Sequence, residues 1–229
     1  PEINSQTPTI DFTDNARGQI LTRTDETGIV DNFNYSSTNE TLESAIRDYG
    51  GGRLNLETEF GFDAVGNVIS ITDPRGNETT FEFDNERRLV KRIECTPFEF
   101  ESIWAYNANG ELTSFKRETG EVDPEFQEWQ WDYNIHGDVV TITDPAGNEL
   151  NFAYNEVRWL IEQTDAENRS WHFSHDALGR VTVAVDPMGN HAETRAYTQN
   201  GMLASIQDAR SNLTRYEYDG FDRLKKRIY

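Results

Sequence analysis

The segment Trp131–Tyr154, WDYNIHGDVVTITDPAGNELNFAY, decides the fold. Two rings stand at alternate positions, Trp131 and Tyr133, so on a strand both face the same way. A turn signal follows at Asn134-Ile135-His136-Gly137. The β-branched run Val139, Val140, Thr141, Ile142, Thr143 suits a second strand. A second turn signal, Asp144-Pro145-Ala146-Gly147, closes it, and the ring pair returns as Phe152 and Tyr154. Tyr133 and Tyr154 are 21 residues apart.

The same unit recurs along the chain. With Tyr133 as anchor, the equivalent positions are Asp14, Tyr35, Phe62, Phe83, Tyr106, Tyr154, His175, Tyr197 and Tyr218. Six of the nine intervals between successive anchors are 21 or 22 residues. Two positions before the anchor a second ring recurs: Phe12, Phe33, Phe60, Phe81, Trp104, Trp131, Phe152, Phe173 and Tyr216. Arg195 breaks the series. Asp or Asn follows most anchors, a residue whose short side chain bonds the backbone two residues on. Gly18, Gly66, Gly110, Gly137, Gly179 and Gly201 then supply the positive φ that ends a hairpin turn.

Five residues beyond the first aliphatic of the next strand comes the second turn. It is complete in Asp73-Pro74-Arg75-Gly76, in Asp144-Pro145-Ala146-Gly147 and in Asp186-Pro187-Met188-Gly189. Proline presets φ at the first corner and glycine takes the exit. Two turns in 21 residues leave strands of about 5–6 residues, the common length in sheets. The expected fold class is therefore all-β: an antiparallel meander of hairpin repeats. An N-terminal extension, 1–10, precedes a repeat array over 11–229, with longer units at about 36–61 and 107–132. In the first of these Leu42, Ala45, Ile46 and Tyr49 also fit a short helix capped by Ser37 and Glu40. A degenerate repeat with a lengthened strand is preferred. In the other irregular stretches Phe98, Phe100, Ser102, Trp104 and Tyr106 alternate, and Val122–Gln127 lengthens a connection.

Composition narrows the function. The chain has 229 residues, with 41 acidic against 21 basic side chains and a net charge of −20. A polyanion such as nucleic acid is repelled by a surface of that sign. Apolar residues are 35%, yet 27 are aromatic, which a disordered chain would lack. The lone Cys95 excludes an internal disulfide framework. No apolar run approaches the ~20 residues of a membrane span. Pro1-Glu2-Ile3 resembles neither a signal peptide nor an initiator methionine, as expected of a processed or excised piece.

The pattern aromatic-Asp-x-x-Gly-Arg-Leu followed by Asp-Pro-x-Gly resembles the YD, or Rhs, repeat family. It stands here as His175-Asp176-Ala177-Leu178-Gly179-Arg180-Val181 with Asp186-Pro187-Met188-Gly189. It recurs as Phe62-Asp63-Ala64-Val65-Gly66-Asn67-Val68 with Asp73-Pro74-Arg75-Gly76. The resemblance runs from about Asp11 to the last residue. It implies a sheet that curves or spirals into a hollow cocoon. In bacterial polymorphic toxins, including type VI secretion effectors and the BC part of Tc complexes, such a shell encloses a C-terminal toxin; teneurins use a similar shell at the cell surface. The implied partners are further shell segments, the enclosed toxin domain, and a secretion apparatus or chaperone. The implied localisation is secretion or delivery after cytoplasmic synthesis. Because the last unit stops at Tyr229 in mid-repeat, a fragment of a longer shell is expected.

Toxin-releasing shells of the family carry an autoprotease marked by Asp-Pro-x-Gly followed by Leu, Trp or Phe. Here Asn77, Asn148 and Asn190 follow the three complete motifs. Asp73, Pro74, Gly76, Asp144, Pro145, Gly147, Asp186, Pro187 and Gly189 are therefore read as structural turns. Phe62, Phe83, Trp104, Tyr106, Trp131, Tyr133, Phe152, Tyr154, Phe173, Tyr197, Tyr216 and Tyr218 are read as a structural aromatic ladder with the rings as cross-strand neighbours. No catalytic, metal or cofactor residue is identified. His172 and His175 fall on opposite faces of a strand, and the carboxylates follow the turn grammar. The expected role is a non-enzymatic shell segment. A carbohydrate- or cell-surface-binding adhesion module is the alternative, and an enzyme with acids grafted on the sheet ranks last.

Overall fold

The computed structural model describes residues 9–95, 99–120 and 126–229. Phe98 and residues 122–125 of the longer connections, and residues 1–8 of the N-terminal extension, lie outside the described residues. Every regular element among the described residues is a β-strand. The chain divides into two compact units, Pro1–Ala105 with Phe115–Gln127, and Tyr106–Ser114 with Glu128–Tyr229.

The first unit contains β1 (Asp11–Asp14), β2 (Ile20–Thr24), β3 (Val30–Tyr35), β4 (Leu42–Arg47), β5 (Leu56–Phe62), β6 (Val68–Thr72), β7 (Glu78–Phe83) and β8 (Leu89–Ile93). The division passes through β9 (Glu101–Tyr106), β10 (Leu112–Glu118) and β11 (Phe126–Tyr133). The second unit continues with β12 (Val139–Thr143), β13 (Glu149–Tyr154), β14 (Leu160–Thr164), β15 (Ser170–His175) and β16 (Val181–Val185). It closes with β17 (His191–Tyr197), β18 (Leu203–Asp208), β19 (Leu213–Tyr218) and β20 (Leu224–Ile228). Within each unit, successive strands pair antiparallel in chain order.

The two turns of the repeat have one geometry and two registers. In both, the fourth residue donates its N–H to the first carbonyl and takes a positive φ. Gly66 bonds Asp63 with φ 89°, and Gly76 bonds Asp73 with φ 83°. The register separates them. The first-turn hairpins slip by one residue at the anchor wherever their register is described: Gly61 pairs with Ser70 but Phe62 with Val68, and Asp132 with Thr141 but Tyr133 with Val139. This bulge leaves an extra residue on the second strand, and Ile69 and Ile161, so displaced, are 39% and 38% exposed. Most second-turn hairpins run without a slip, as in Thr141↔Asn151 to Thr143↔Glu149.

The first irregular unit forms β4 and β5 with no helix between. Its additional residues lie mainly in the loop from Asp48 to Asn55 rather than in a lengthened strand. Leu54 precedes β5. The loop is closed by its own polar groups: Asn55 Nδ2 donates to the Gly50 carbonyl at 3.0 Å, and Leu54 N–H to Asp48 Oδ2 at 3.1 Å. In the later irregular unit the strands themselves are longer, with 7 residues in β10 and 8 in β11.

Among the described residues no apolar side chain is fully buried. Most rings and aliphatics on the strands are half-buried, alternating on the first strand of a hairpin with exposed neighbours such as Glu82, Gln130, Asp132 and Glu217. Sheet stability here rests on ladder hydrogen bonds, turns and cross-strand contacts, each individually modest.

Candidate functional site

The arrangement with functional content is a set of ties between neighbouring repeats at the first-turn edge. Most begin with an Asx turn. The first residue's Oδ1 accepts N–H groups two and four residues on, as Asp63 does from Val65 at 3.0 Å and Asn67 at 2.8 Å. Its side chain also bonds the fifth residue's side chain, as Asn67 Nδ2 to Asp63 Oδ2 at 2.7 Å. That fifth residue then leans onto the next repeat. Asn67 accepts from Arg87 Nε at 2.9 Å, and Asp138 takes a bidentate bond from Arg158, with Nη2 at 2.6 Å and Nε at 3.1 Å. Glu111 lies over Gly137, and the Trp159 indole lies 2.8 Å from where a Cβ on Gly179 would be. Arg180 sits 4.5 Å from the centre of the Tyr197 ring.

The receiving position explains an oddity of the backbone. Arg87, Arg158 and Asp222 occupy the turn position that is glycine elsewhere, with φ of 65°, 66° and 58°. An L-residue there is strained. Each reaches the preceding turn: Arg87 and Arg158 as above, and Asp222 by accepting from Asn200 Nδ2 at 3.1 Å. At Gly137 and Gly179 the neighbour's side chain covers the vacant face instead, whereas Gly66 has open space there. Glu40, also at positive φ, pairs with Arg17 at 2.6 Å.

The anchor tyrosines add a second tie. Tyr133 donates its hydroxyl to the Leu112 carbonyl at 2.7 Å, and Tyr154 to Val139 at 2.9 Å. Tyr197 bonds Val181 at 2.8 Å and Tyr218 bonds Leu203 at 2.9 Å. In each case the acceptor is the first residue of the preceding repeat's second strand. Burial pushes the Tyr133 and Tyr154 phenols above their ordinary value, with Glu111 and Asp138 adding to the shift, so both hydroxyls stay protonated donors. Phe62 and Phe83 have no hydroxyl to give. His175 packs on Trp159 instead, ring centres 5.5 Å apart.

The rings read as a ladder face aliphatic or polar partners across the hairpin. Trp131 opposes Ile142, Phe152 opposes Gln163, Phe173 opposes Ala184 and Tyr216 opposes Arg227. Phe83 and Tyr218 oppose Leu89 and Leu224. Ring stacks are therefore not the repeated contact, because a whole second strand separates the rings of successive units. Trp104 does meet a ring, that of Phe115, at 5.3 Å. Tyr106 ends β9 just before the turn that opens at Asn107.

At the second-turn edge the bonds stay local. Asn77 Nδ2 donates to Asp73 Oδ2 and Asn148 Nδ2 to Asp144 Oδ2, both at 2.8 Å. Asn190 approaches Asp186 at 3.4 Å. The asparagine side chain and then its N–H hold the Asp73 and Asp144 carboxyls below their usual range; for Asp186 the Asn190 N–H leads. Pro74, Pro145 and Pro187 are exposed at the corners, and Gly76, Gly147 and Gly189 have φ of 83°, 80° and 79°. The asparagine after each motif is thus the partner that pins its aspartate.

Sequence reasoning located the turns and rings but not the ties, which join residues about one repeat apart. A signal was present: Arg87, Arg158 and Asp222 standing at a glycine position.

The RHS Repeat family model matches residues 62–94 and 154–191, stretches in which the two turns alternate in register. No curated protein matches the chain. Among solved structures, TcdB2-TccC3 is similar with a TM-score of 0.60 at 15% identity, over 96% of this chain and 14% of that one. TcdB2-TccC3-Cdc42 gives 0.59 at 14% identity, over 96% and 13%. The Photorhabdus luminescens Tc holotoxin pore gives 0.58 at 14% identity, over 96% and 13%. At such identities the likeness is one of fold, and the chain spans about one seventh of those chains. Residues 62–94 and 154–191 are thus similar to RHS repeats, and the other units share their hairpin register.

Proposed function

We propose that the chain is a wall segment of an RHS-repeat shell that encloses a toxic polypeptide for delivery. The observation that supports this most is the repetition of the ties. The same forward-leaning residue and the same tyrosine bond recur from repeat to repeat. A binding site needs a few placed groups at one location, whereas a wall needs equal joints throughout. One of the structures similar in fold is a Tc holotoxin pore, which fits the same role. In this reading Asp73, Asp144 and Asp186 are corners rather than proteolytic residues, and the chain acts by containment without chemistry of its own. Its partners are neighbouring shell segments and the enclosed toxin, and delivery uses a bacterial secretion apparatus.

The test uses the complete reading frame that encodes this chain. Limited proteolysis of the whole protein should spare the region downstream of the repeats. Deleting residues 134–175, two units that leave Tyr133 followed by Asp176, should open the wall and make that region cleavable. Equal cleavage with and without the deletion, or a reading frame that ends at Tyr229, overturns the proposal.

A further inference from the structure

The tip of a first turn is its second and third residue. From β11 to β20 the tips read Ile135-His136, Glu156-Val157, Ala177-Leu178, Gln199-Asn200 and Gly220-Phe221. Four of these five carry a bulky apolar side chain in solvent: Ile135 is 94% exposed, Val157 59%, Leu178 73% and Phe221 82%. Exposed apolar residues scattered singly are ordinary, but these recur at one turn and along one edge. The second-turn tips between the same strands are small, Pro145-Ala146, Ala166-Glu167 and Ala209-Arg210, with Met188 the exception. Neighbouring first turns are joined by the ties described above, so the apolar tips stand in a row. Successive hairpins lie two strand spacings apart, about 10 Å, and the row from Ile135 to Phe221 covers about 40 Å.

Two further features suit these tips to leaving water. Their backbone N–H groups are already bonded inside the turn. Val157 N–H donates to Asn155 Oδ1 at 3.1 Å, and Leu178 and Phe221 donate to Asp176 and Asp219 Oδ1 at 2.9 Å. His136 N–H donates to Asn134 Oδ1 at 2.8 Å. A donor that carries its own partner costs far less to dehydrate than a bare one. Behind the tips the charges are paired. Asp138, Asp176 and Asp219 are bridged by Arg158, Arg180 and Arg223, and the Arg223 guanidinium lies 5.5 Å from the centre of the Phe221 ring. Glu156 is the one acid at a tip. The edge is thus apolar in front and largely paired behind, in a chain whose net charge is −20.

These features select a partner. A protein interface needs about 1,000 Å² of continuous complementary surface, which side chains set about 10 Å apart do not supply. A lipid surface takes up each side chain separately, at the boundary of headgroup and acyl chain. Anionic lipid would be repelled by the net charge, whereas a zwitterionic headgroup matches ion pairs that are themselves neutral. We propose that the first-turn edge between β11 and β20 docks on a zwitterionic lipid surface, with Ile135, Val157, Leu178 and Phe221 as its anchors. The proposal is independent of the shell reading.

Flotation with phosphatidylcholine vesicles and calorimetry on the full chain test it. Binding should be saturable, should persist in about 0.5 M salt, and should weaken when about a third of the lipid is phosphatidylserine. Leu178→Ser combined with Phe221→Ser should weaken binding at least about tenfold, the loss of two apolar anchors, while the circular dichroism spectrum is kept. Met188→Ser removes a side chain that is 87% exposed at the other edge and should leave binding unchanged. No binding up to about 5 mM lipid, full binding by the double variant, or an equal loss with Met188→Ser overturns the proposal. Self-association that the double variant abolishes, in place of vesicle binding, makes the edge a protein contact and overturns it equally.

Discussion

The two edges of the repeat are built from the same turn and do different things. At the first-turn edge most turns are tied to a neighbour, through Arg158 to Asp138, Arg87 to Asn67, Trp159 over Gly179, and the tyrosine hydroxyls. At the second-turn edge Asp73, Asp144 and Asp208 bond only within their own turns. The first-turn edge carries repeated joints between hairpins, whereas at the second-turn edge a neighbour reaches over a turn glycine at Gly120, under Phe100, and the turns at Asp73, Asp144 and Asp208 simply reverse the chain. An Asx turn is thus a local solution that any repeat can use, whereas a joint needs a second residue one repeat away.

Acid should have the largest effect, and it should act on every second turn opened by aspartate but only on some first turns. Asp25, Asp73, Asp144, Asp165, Asp186 and Asp208 all have lowered carboxyl pKa values from hydrogen bonds to the ionised form. A lowered folded value means that the stabilisation is complete above the ordinary carboxylate value of about 3.9 and is lost as pH falls through the folded values below it. First turns divide: Asp63, Asp84, Asp176 and Asp219 have carboxyls lowered in the same way, whereas Asn15, Asn107, Asn134 and Asn155 open theirs with a side chain that does not titrate. Hydrogen exchange between pH 6 and about pH 2.5 should show the aspartate-opened turns of either edge losing protection before the asparagine-opened ones. Simultaneous loss in both kinds of turn would contradict this.

Glycine substitution gives the next effect. Gly179→Ala meets both a φ of 81° and the Trp159 indole, and urea melts should show a loss of about 3 kcal/mol, the sum of backbone strain and overpacking. Gly189→Ala has φ 79° and open space around it, so only the strain remains, about 1 kcal/mol. Adding Trp159→Ala to Gly179→Ala should bring the pair close together.

Tyr154→Phe removes one joint and leaves its turns intact. The expected loss is about 1 kcal/mol, the usual net worth of a neutral hydrogen bond. Tyr197→Phe should match it, and equality with wild type in denaturant melts would show that the hydroxyl bonds tie nothing.

The smallest effect compares one backbone position at the two edges. Ser211 has φ 66° at the second-turn edge, where Ser211→Gly should stabilise by about 0.5 kcal/mol through relief of strain. Arg158 has the same φ at the first-turn edge, but Arg158→Gly also removes its bond to Asp138 and should show no such gain. The difference between the two variants should shrink in about 0.5 M salt, which screens an exposed ion pair.

What the sequence determined by itself was everything that depends on neighbours in the chain. Asp144-Pro145-Ala146-Gly147 and Asn134-Ile135-His136-Gly137 mark their turns because an Asx side chain and a positive-φ glycine act within five residues. Alternation of rings across Trp131 and Tyr133 set strand and face for the same reason. Only the tertiary structure decided how one repeat meets the next. The bulge at each anchor, the reach of Tyr154 to Val139, and the use of a strained Arg158 to hold Asp138 depend on pairing register across strands. No local spacing encodes such meetings, because they exist only after the strands between them have paired.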